Sequence, residues 1–307
     1  MENCIHNWGQ PPTVFSSSEI ELDLQVPTNK YGGRADVLCG TLKAVHQQVA
    51  VKAFRHVERN LNHLIIENEI KIWQLLCNHP HIASFLGILP VNLYDPQYLE
   101  RGLVSFYCDH GDLKTYLYKA DSGATNHQLR FQLLLGVIRG LTYAHAQSIV
   151  HGDLKARNVL VDGDGKLARI CDFGSSSINC KCYSSPDEQE GTTAWESPEL
   201  WMSEEAPPHT RQSDIWAFGC VALEVQMGMT PWDPCHEGIT LAMQTRQMKA
   251  GVGTPANADN LRLEQHPIKQ HVWDFMIQCW SADPTQRPTA EGLSSTCETL
   301  ATNLGVM

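Results

Sequence analysis

Apolar and polar positions divide the chain into two textures. Between Lys30 and Leu103 the stretches "DVLCGTL" and "QQVAVKAF" read as half-buried strands, and "LNHLIIENEIKIWQLL" follows, with Ile65, Glu69, Ile72 and Leu76 recurring at helical spacing. This predicts a small β-rich region with one main helix. From Asp112 onward the pattern is helical. "LRFQLLLGVIRGLTYAHAQ" and "DIWAFGCVALEVQMGM" predict core helices apolar on most sides, the second interrupted by Gly219 and Gly228 and too short to span a bilayer. The first 25 residues, with "GQPP" and "SSS", predict a weakly ordered lead-in that closes on the extended segment "IELDLQV". "AGVGTPANADNLRLEQHP" predicts a surface connection, and no internal repeat is visible. The expected fold class is α+β, and at 307 residues two lobes with a ligand cleft are expected in place of a single core.

Composition narrows the classes of function. Charged residues are 19% and hydrophobic ones 42%, a balance that favours a folded globular chain. Lys+Arg 23 against Asp+Glu 34 leaves a net charge of -11, which argues against a nucleic-acid backbone or an anionic membrane as a general partner. No apolar run of about 18 residues occurs, and "MENCIHNWGQPP" carries neither a basic start nor an apolar signal core. The expected compartment is therefore the cytoplasm, with the nucleus as alternative. Eleven cysteines scattered from Cys4 to Cys297 read as reduced thiols. The close pair Cys180 and Cys182 lacks the second pair a zinc site needs and is read as loop.

The candidate chemistry rests on an ordered set of polar residues. Lys52 in "VAVKAF" lies on a strand between small apolar neighbours, and Glu69 follows on the predicted helix; singly, a snorkelling lysine and a solvated glutamate are the simpler readings. After Ile149 and Val150 comes "HGDLKARN", then "DFG" at Asp172 to Gly174, "SPE" at Ser197 to Glu199, "SDIWAFG" from Ser213 and "CWSADPTQRPT" near the C-terminus. In this order the set resembles the protein kinases, closest to the tyrosine-kinase-like group of Ser/Thr kinases, over roughly Val26 to Leu300.

The resemblance implies a bilobal fold, with residues 1–25 an N-terminal extension, 26–300 the kinase domain and 301–307 a tail. Within the domain the N-lobe would span about 26–105, the hinge 106–110 and the C-lobe 111–300. It implies transfer of the γ-phosphoryl group of ATP to Ser/Thr hydroxyls of protein substrates in signalling, with Mg²⁺. Lys52 would hold the α/β-phosphates and Glu69 would orient it; Asn158 and Asp172 would ligate the metal. Asp153 would accept the substrate hydroxyl proton, Lys155 would place positive charge near the transferred group, and Thr192 would bond both. Val37, Ala50 and Leu160 would sandwich adenine, Ser105 would stand behind it, and the connecting segment Phe106 to Cys108 would bond its edge. Trp73, Phe85, His151 and Phe173 would form an apolar column anchored by Asp214, and Arg287 would pair with Glu199.

The sequence departs from the kinase pattern twice. Lys30, Gly32 and Ala35 align with the three glycines of the phosphate-covering loop, so only Gly32 is retained, with Gly33 as an extra. Gly152 replaces the arginine that reads a phosphorylated activation loop, which removes a switch contact and leaves the catalytic groups in place. The first departure keeps a pseudokinase scaffold as the rival reading. Lys155 and Thr192 favour Ser/Thr over Tyr, while the Ala156, Arg157 pair keeps dual specificity open. The partners implied are protein substrates and an upstream kinase, with no nucleic acid; oligomeric state is not legible.

Overall fold

The computed structural model describes residues 10–24, 35–55, 59–179, 192–202, 207–232, 253–258, 266–303 and 305–306. It divides into two compact units, Met1–Cys108 and Asp109–Met307.

The first unit is built on an antiparallel sheet of five strands: β1 (Ile20–Asp23), β2 (Ala35–Leu42), β3 (Gln47–Phe54), β4 (Gly87–Pro90) and β5 (Arg101–Phe106), in the order β1-β2-β3-β5-β4. The period of two seen in "VAVKAF" is realised directly. Val49, Val51 and Ala53 point into a core with Ile20, Leu38, Leu89, Val91 and Val104, so Ala50 and Lys52 turn to the other face. The α-helix found among the described residues of this unit, α1 (Arg59–Leu76), buries Ile66, Ile70, Trp73 and Leu76. Its apolar stripe therefore starts at Ile66, one residue beyond the predicted Ile65, which is half-buried.

The expectation of weak order in the lead-in is corrected for residues 10–19, the extended segment from Ile20 forms as expected, and residues 1–9 lie outside the described residues. Phe15 N–H donates to the Ile88 carbonyl at 2.9 Å and Ile88 N–H to that of Thr13 at 2.8 Å, and β1 pairs with β2 from Ile20↔Leu42 to Asp23↔Cys39. Ile20 is fully buried and its carbonyl accepts the Tyr94 hydroxyl at 2.5 Å. Gly87 makes room for this strap, since a Cβ there would lie 2.3 Å from the Thr13 carbonyl oxygen. Composition signalled loop, but the apolar anchors Phe15 and Ile20 gain enough burial to order the polar residues between them.

The second unit is mainly helical: α2 (Leu113–Ala120), α3 (His127–Ala146), α4 (Arg211–Ala222), α5 (Pro267–Cys279) and α6 (Ala290–Asn303). Short strand pairs join β6 (Ile149–Val150) to β9 (Ser177–Ile178), and β7 (Val159–Asp162) to β8 (Leu167–Ile170). Helix α3 buries Phe131, Leu134, Leu135, Ile138 and Leu141 and packs on α6 and β8. Helix α4 starts at a capping box in which Thr210 and Ser213 satisfy each other's backbone, and nearly all of it is buried. It runs into a π-helical turn, Leu223–Met227, and stops at Gly228 with φ +70°. Among the described residues no helix is long and apolar enough to cross a membrane. The predicted connection from Ala250 to Pro267 lies partly outside the described residues.

Candidate active site

Asp214, at the start of α4, organises the loop that precedes β7. Its buried carboxylate accepts the backbone N–H groups of His151 and Gly152 at 2.8 and 2.9 Å, with His145 Nε2 also 2.8 Å away. Burial opposes its ionisation, but these contacts from His145, His151 and Gly152 outweigh it and hold the carboxyl below the usual aspartate range. The same loop is tied to the segment after β8. Ser176 Oγ donates to the His151 carbonyl at 2.8 Å, His151 Nε2 lies 3.1 Å from the Cys171 carbonyl, and the His151 and Phe173 rings are 5.4 Å apart.

Gly152 is held between these ties. Its φ is +80°, and a Cβ there would sit 2.4 Å from the Ser175 carbonyl oxygen. Missing cation aside, this backbone gives an independent reason for glycine.

The loop then aims its polar side chains at one carboxylate. Asp153 Oδ1 accepts Thr192 N–H at 3.0 Å and Thr192 Oγ1 at 2.7 Å. Oδ2 accepts Lys155 Nζ at 2.5 Å and Asn158 Nδ2 at 3.0 Å. Lys155 also donates to Thr192 Oγ1 at 2.6 Å, and Asn158 Nδ2 to the Asp153 carbonyl at 2.8 Å. The result is a part-exposed carboxylate fixed by a cation, an amide and a hydroxyl. Asp172 follows β8 with φ +63°, a left-handed conformation rare for a side chain, and Cys171 N–H donates to the Asn158 carbonyl at 2.9 Å. The β7–β8 hairpin, registered Val159↔Ile170, thereby sets Asp172 beside Asn158.

In the first unit, Lys52 Nζ donates to Glu69 Oε1 at 2.7 Å, and the Glu69 side chain is fully buried. The simpler readings, snorkelling lysine and solvated glutamate, are thus overturned. The register pairs Val37 with Lys52 and Ala50 with Ser105, which places these four residues on one sheet face. Phe106 ends β5 exposed, Cys108 is buried and Leu160 of β7 is half-buried. The column residues occur as two pairs, Trp73 with Phe85 at 5.3 Å in this unit and His151 with Phe173 in the other. Gly32, Gly33 and Lys30, the pair Cys180 and Cys182, and the activation-segment residues Tyr183, Ser184 and Ser185 lie outside the described residues.

A protein kinase domain matches residues 31–296. The chain belongs to the protein kinase family. Its relatives include mitogen-activated protein kinase kinase kinase A of Dictyostelium discoideum, 28% identical over 85% of the chain and 26% of that protein. Another is serine/threonine-protein kinase CTR1 of Arabidopsis thaliana, 28% identical over 91% of the chain and 33% of that protein. A third is tyrosine-protein kinase receptor TYRO3 of Rattus norvegicus, 29% identical over 75% and 25% respectively. The kinase thus spans a quarter to a third of the length of these relatives.

One residue of the kinase site escaped the sequence reading. Glu224, in the π-helical turn, accepts the Ala156 N–H at 3.0 Å and Trp195 Nε1 at 2.9 Å through one oxygen, so one buried carboxyl joins the catalytic loop to the segment carrying Thr192. Burial raises its pKa. The available signal was a lone acid inside the apolar run "VALEVQM", a position that burial makes costly without partners. The predicted pair Arg287 and Glu199 forms at 2.7 Å through both guanidinium ends.

Proposed function

We propose that this protein is a Ser/Thr protein kinase that transfers the γ-phosphoryl group of ATP to protein substrates in signalling, in the cytoplasm or nucleus. The observation that carries the proposal is the carboxylate of Asp153 bonded at once to Lys155, Asn158 and Thr192. Phosphoryl transfer asks little covalent chemistry of a protein and much positioned charge. In this reading Asp153 receives the acceptor hydroxyl proton, Lys155 offers positive charge at the transferred group, and Thr192 keeps both in place. Lys52, braced by Glu69, holds nucleotide phosphates. The seven free cysteines among the described residues suit a reducing compartment.

Asn158 and Asp172 suit magnesium. Both amide N–H directions of Asn158 are turned on Asp153, which leaves its oxygen for a hard cation, and Asp172 supplies a carboxylate. No group of three or more His, Cys, Asp or Glu forms a metal cage among the described residues, in keeping with an ion that takes most of its ligands from water and nucleotide phosphate. Bound there with ATP, the ion would neutralise phosphate charge.

The test is incubation with Mg²⁺-ATP and mapping of the phosphorylated residues by mass spectrometry. Wild type should incorporate phosphate on Ser and Thr, while Lys52→Met, Asp153→Asn and Asp172→Asn should each lower the rate by roughly a thousandfold with the fold intact. Transfer at wild-type rate in any of the three would refute the assignment. A wild-type protein that binds ATP without transfer would establish the scaffold reading instead.

A further inference from the structure

A cavity of about 340 Å³ opens beside the catalytic loop in the helical unit. Ala156 and Arg157 line it from the loop, Lys114 and Tyr118 from α2, Glu224 from the π-helical turn, and Thr230 beyond that turn. Its charges can be assigned one by one. Arg130, also on the wall, is buried and paired with Asp121 at 2.6 Å and with the Val225 carbonyl at 2.5 Å. One oxygen of Glu224 is used by Ala156 and Trp195. The other is buried without a hydrogen-bond partner and faces Lys114 Nζ at 3.4 Å. Arg157 is exposed and forms no ion pair among the described residues. Two cations therefore stand against one carboxylate at the mouth, and the cation left over belongs to the loop that carries Asp153.

We propose that this cavity receives an anionic side chain of the protein substrate, a carboxylate or a phosphate a few residues from the acceptor hydroxyl, with Arg157 as its principal contact and Lys114 as the second. The proposal rests on the kinase reading and adds a substrate class to it. A planar guanidinium suits either anion, because each presents two oxygens to its fork. A basic substrate side chain is disfavoured at the same place, since it would have to displace Lys114 from Glu224 while facing Arg157. Glu224 is itself committed to the Ala156 N–H, so the cavity wall and the catalytic loop move as one, and an anion seated here sets the distance of the acceptor from Asp153.

The experiment uses peptides with a single Ser acceptor that differ at one flanking position, occupied by Glu, phosphoserine, Ala or Lys, with the position scanned on both sides. An acidic residue at the matching position should raise kcat/KM by roughly three- to tenfold over Ala, chiefly through KM, and Lys should lower it. Arg157→Lys should keep the preference, Arg157→Ala should flatten it and Arg157→Glu should reverse it toward the Lys peptide. A phosphoserine peptide that clearly outperforms the Glu peptide identifies phosphate as the anion; equal performance identifies a carboxylate. Turnover without charge preference, or a preference untouched by Arg157→Glu, overturns this inference and leaves the kinase assignment standing. If no peptide is phosphorylated, the kinase assignment is judged by incorporation of phosphate from Mg²⁺-ATP alone, and fluorescence anisotropy of labelled Glu and Lys peptides decides the cavity separately. Equal binding of the two peptides by wild type overturns it, and a preference for the Glu peptide that Arg157→Glu reverses supports it.

Discussion

Glycine at position 152 and threonine at position 192 show how single residues set the catalytic loop. An alanine at 152 would have to keep a φ of +80° and place its Cβ 2.4 Å from a carbonyl oxygen. A left-handed alanine alone costs about 1–2 kcal/mol, so Gly152→Ala should lower the Tm of the helical unit by roughly 4–8 °C once the clash is included. Thermal melts check this, and an unchanged Tm would show that the turn relaxes freely. Arg at the same position would meet the same backbone constraint before its guanidinium could reach any phosphate. Thr192 acts through its hydroxyl, which donates to Asp153 and accepts from Lys155. Removing it leaves a carboxylate and a cation without their common hydrogen-bond partner. Thr192→Ala should therefore reduce kcat by roughly 10- to 100-fold with little change in KM for ATP, and Thr192→Ser should restore most of the rate. Steady-state kinetics on one peptide distinguish the two variants, and equal rates for Ala and Ser would remove the hydroxyl from the mechanism.

At the scale of elements, the ion pair of Arg287 and Glu199 fastens the stretch before α6 to the segment after Thr192. Arg287 also donates to the Gln212 carbonyl at 3.0 Å and the Ser281 carbonyl at 2.9 Å, and its guanidinium lies 5.1 Å from the Trp216 ring centre. Lysine cannot replace a fork that serves two elements at once. Arg287→Lys should cost about 3 kcal/mol, read as a lower urea midpoint with unchanged slope. This pair and the Asp153 cluster were implied by the resemblance to protein kinases, whereas β3, α1, α3 and α4 were legible from local periodicity. The elements that were not legible depend on distant partners. The stretch from Thr13 to Glu19 looks like loop by composition and is ordered through Ile88 and the neighbouring β1, whose extended character was legible in "IELDLQV". Glu224 sits in an apolar stretch, and its role exists only because Ala156 and Trp195 are folded against it. Gly152 was read as a lost side chain, whereas the Ser175 carbonyl makes it a backbone requirement.

For the whole molecule, the response to acid follows from groups whose pKa values shift on folding. His127 is lowered to about 4, first by burial and then by the positive neighbours His266, Lys269 and Arg130, against the opposite pull of Asp121. Its ring is 4.1 Å from that of His266, so a proton on one is set against the other. The neutral form is favoured in the fold, and the unfolded chain binds a proton first as pH falls below about 6.5. Stability linked to His127 is therefore complete above that value and is lost progressively down to about 4. His79 and His209 are lowered by burial and act in the same direction, while Glu196 and Glu224, raised by burial, act against them in this window. Carboxylates enter at lower pH. Burial works against ionised Asp121, but Arg130 and the N–H groups of Asn126 and Thr125 hold it at about 2, and Arg287 likewise keeps Glu199 low despite burial. Their contributions are present above the unfolded pKa and disappear as pH falls through the folded one. The contribution of His127 can be isolated by difference, since the other groups are common to wild type and variant. His127→Gln should lose less of its urea midpoint than wild type between pH 7.5 and pH 4.5, and the two should decline in parallel below about pH 4. Parallel curves across the whole range would mean that His127 titrates in the folded protein as it does in the unfolded chain, and the contact with His266 would then carry no charge penalty.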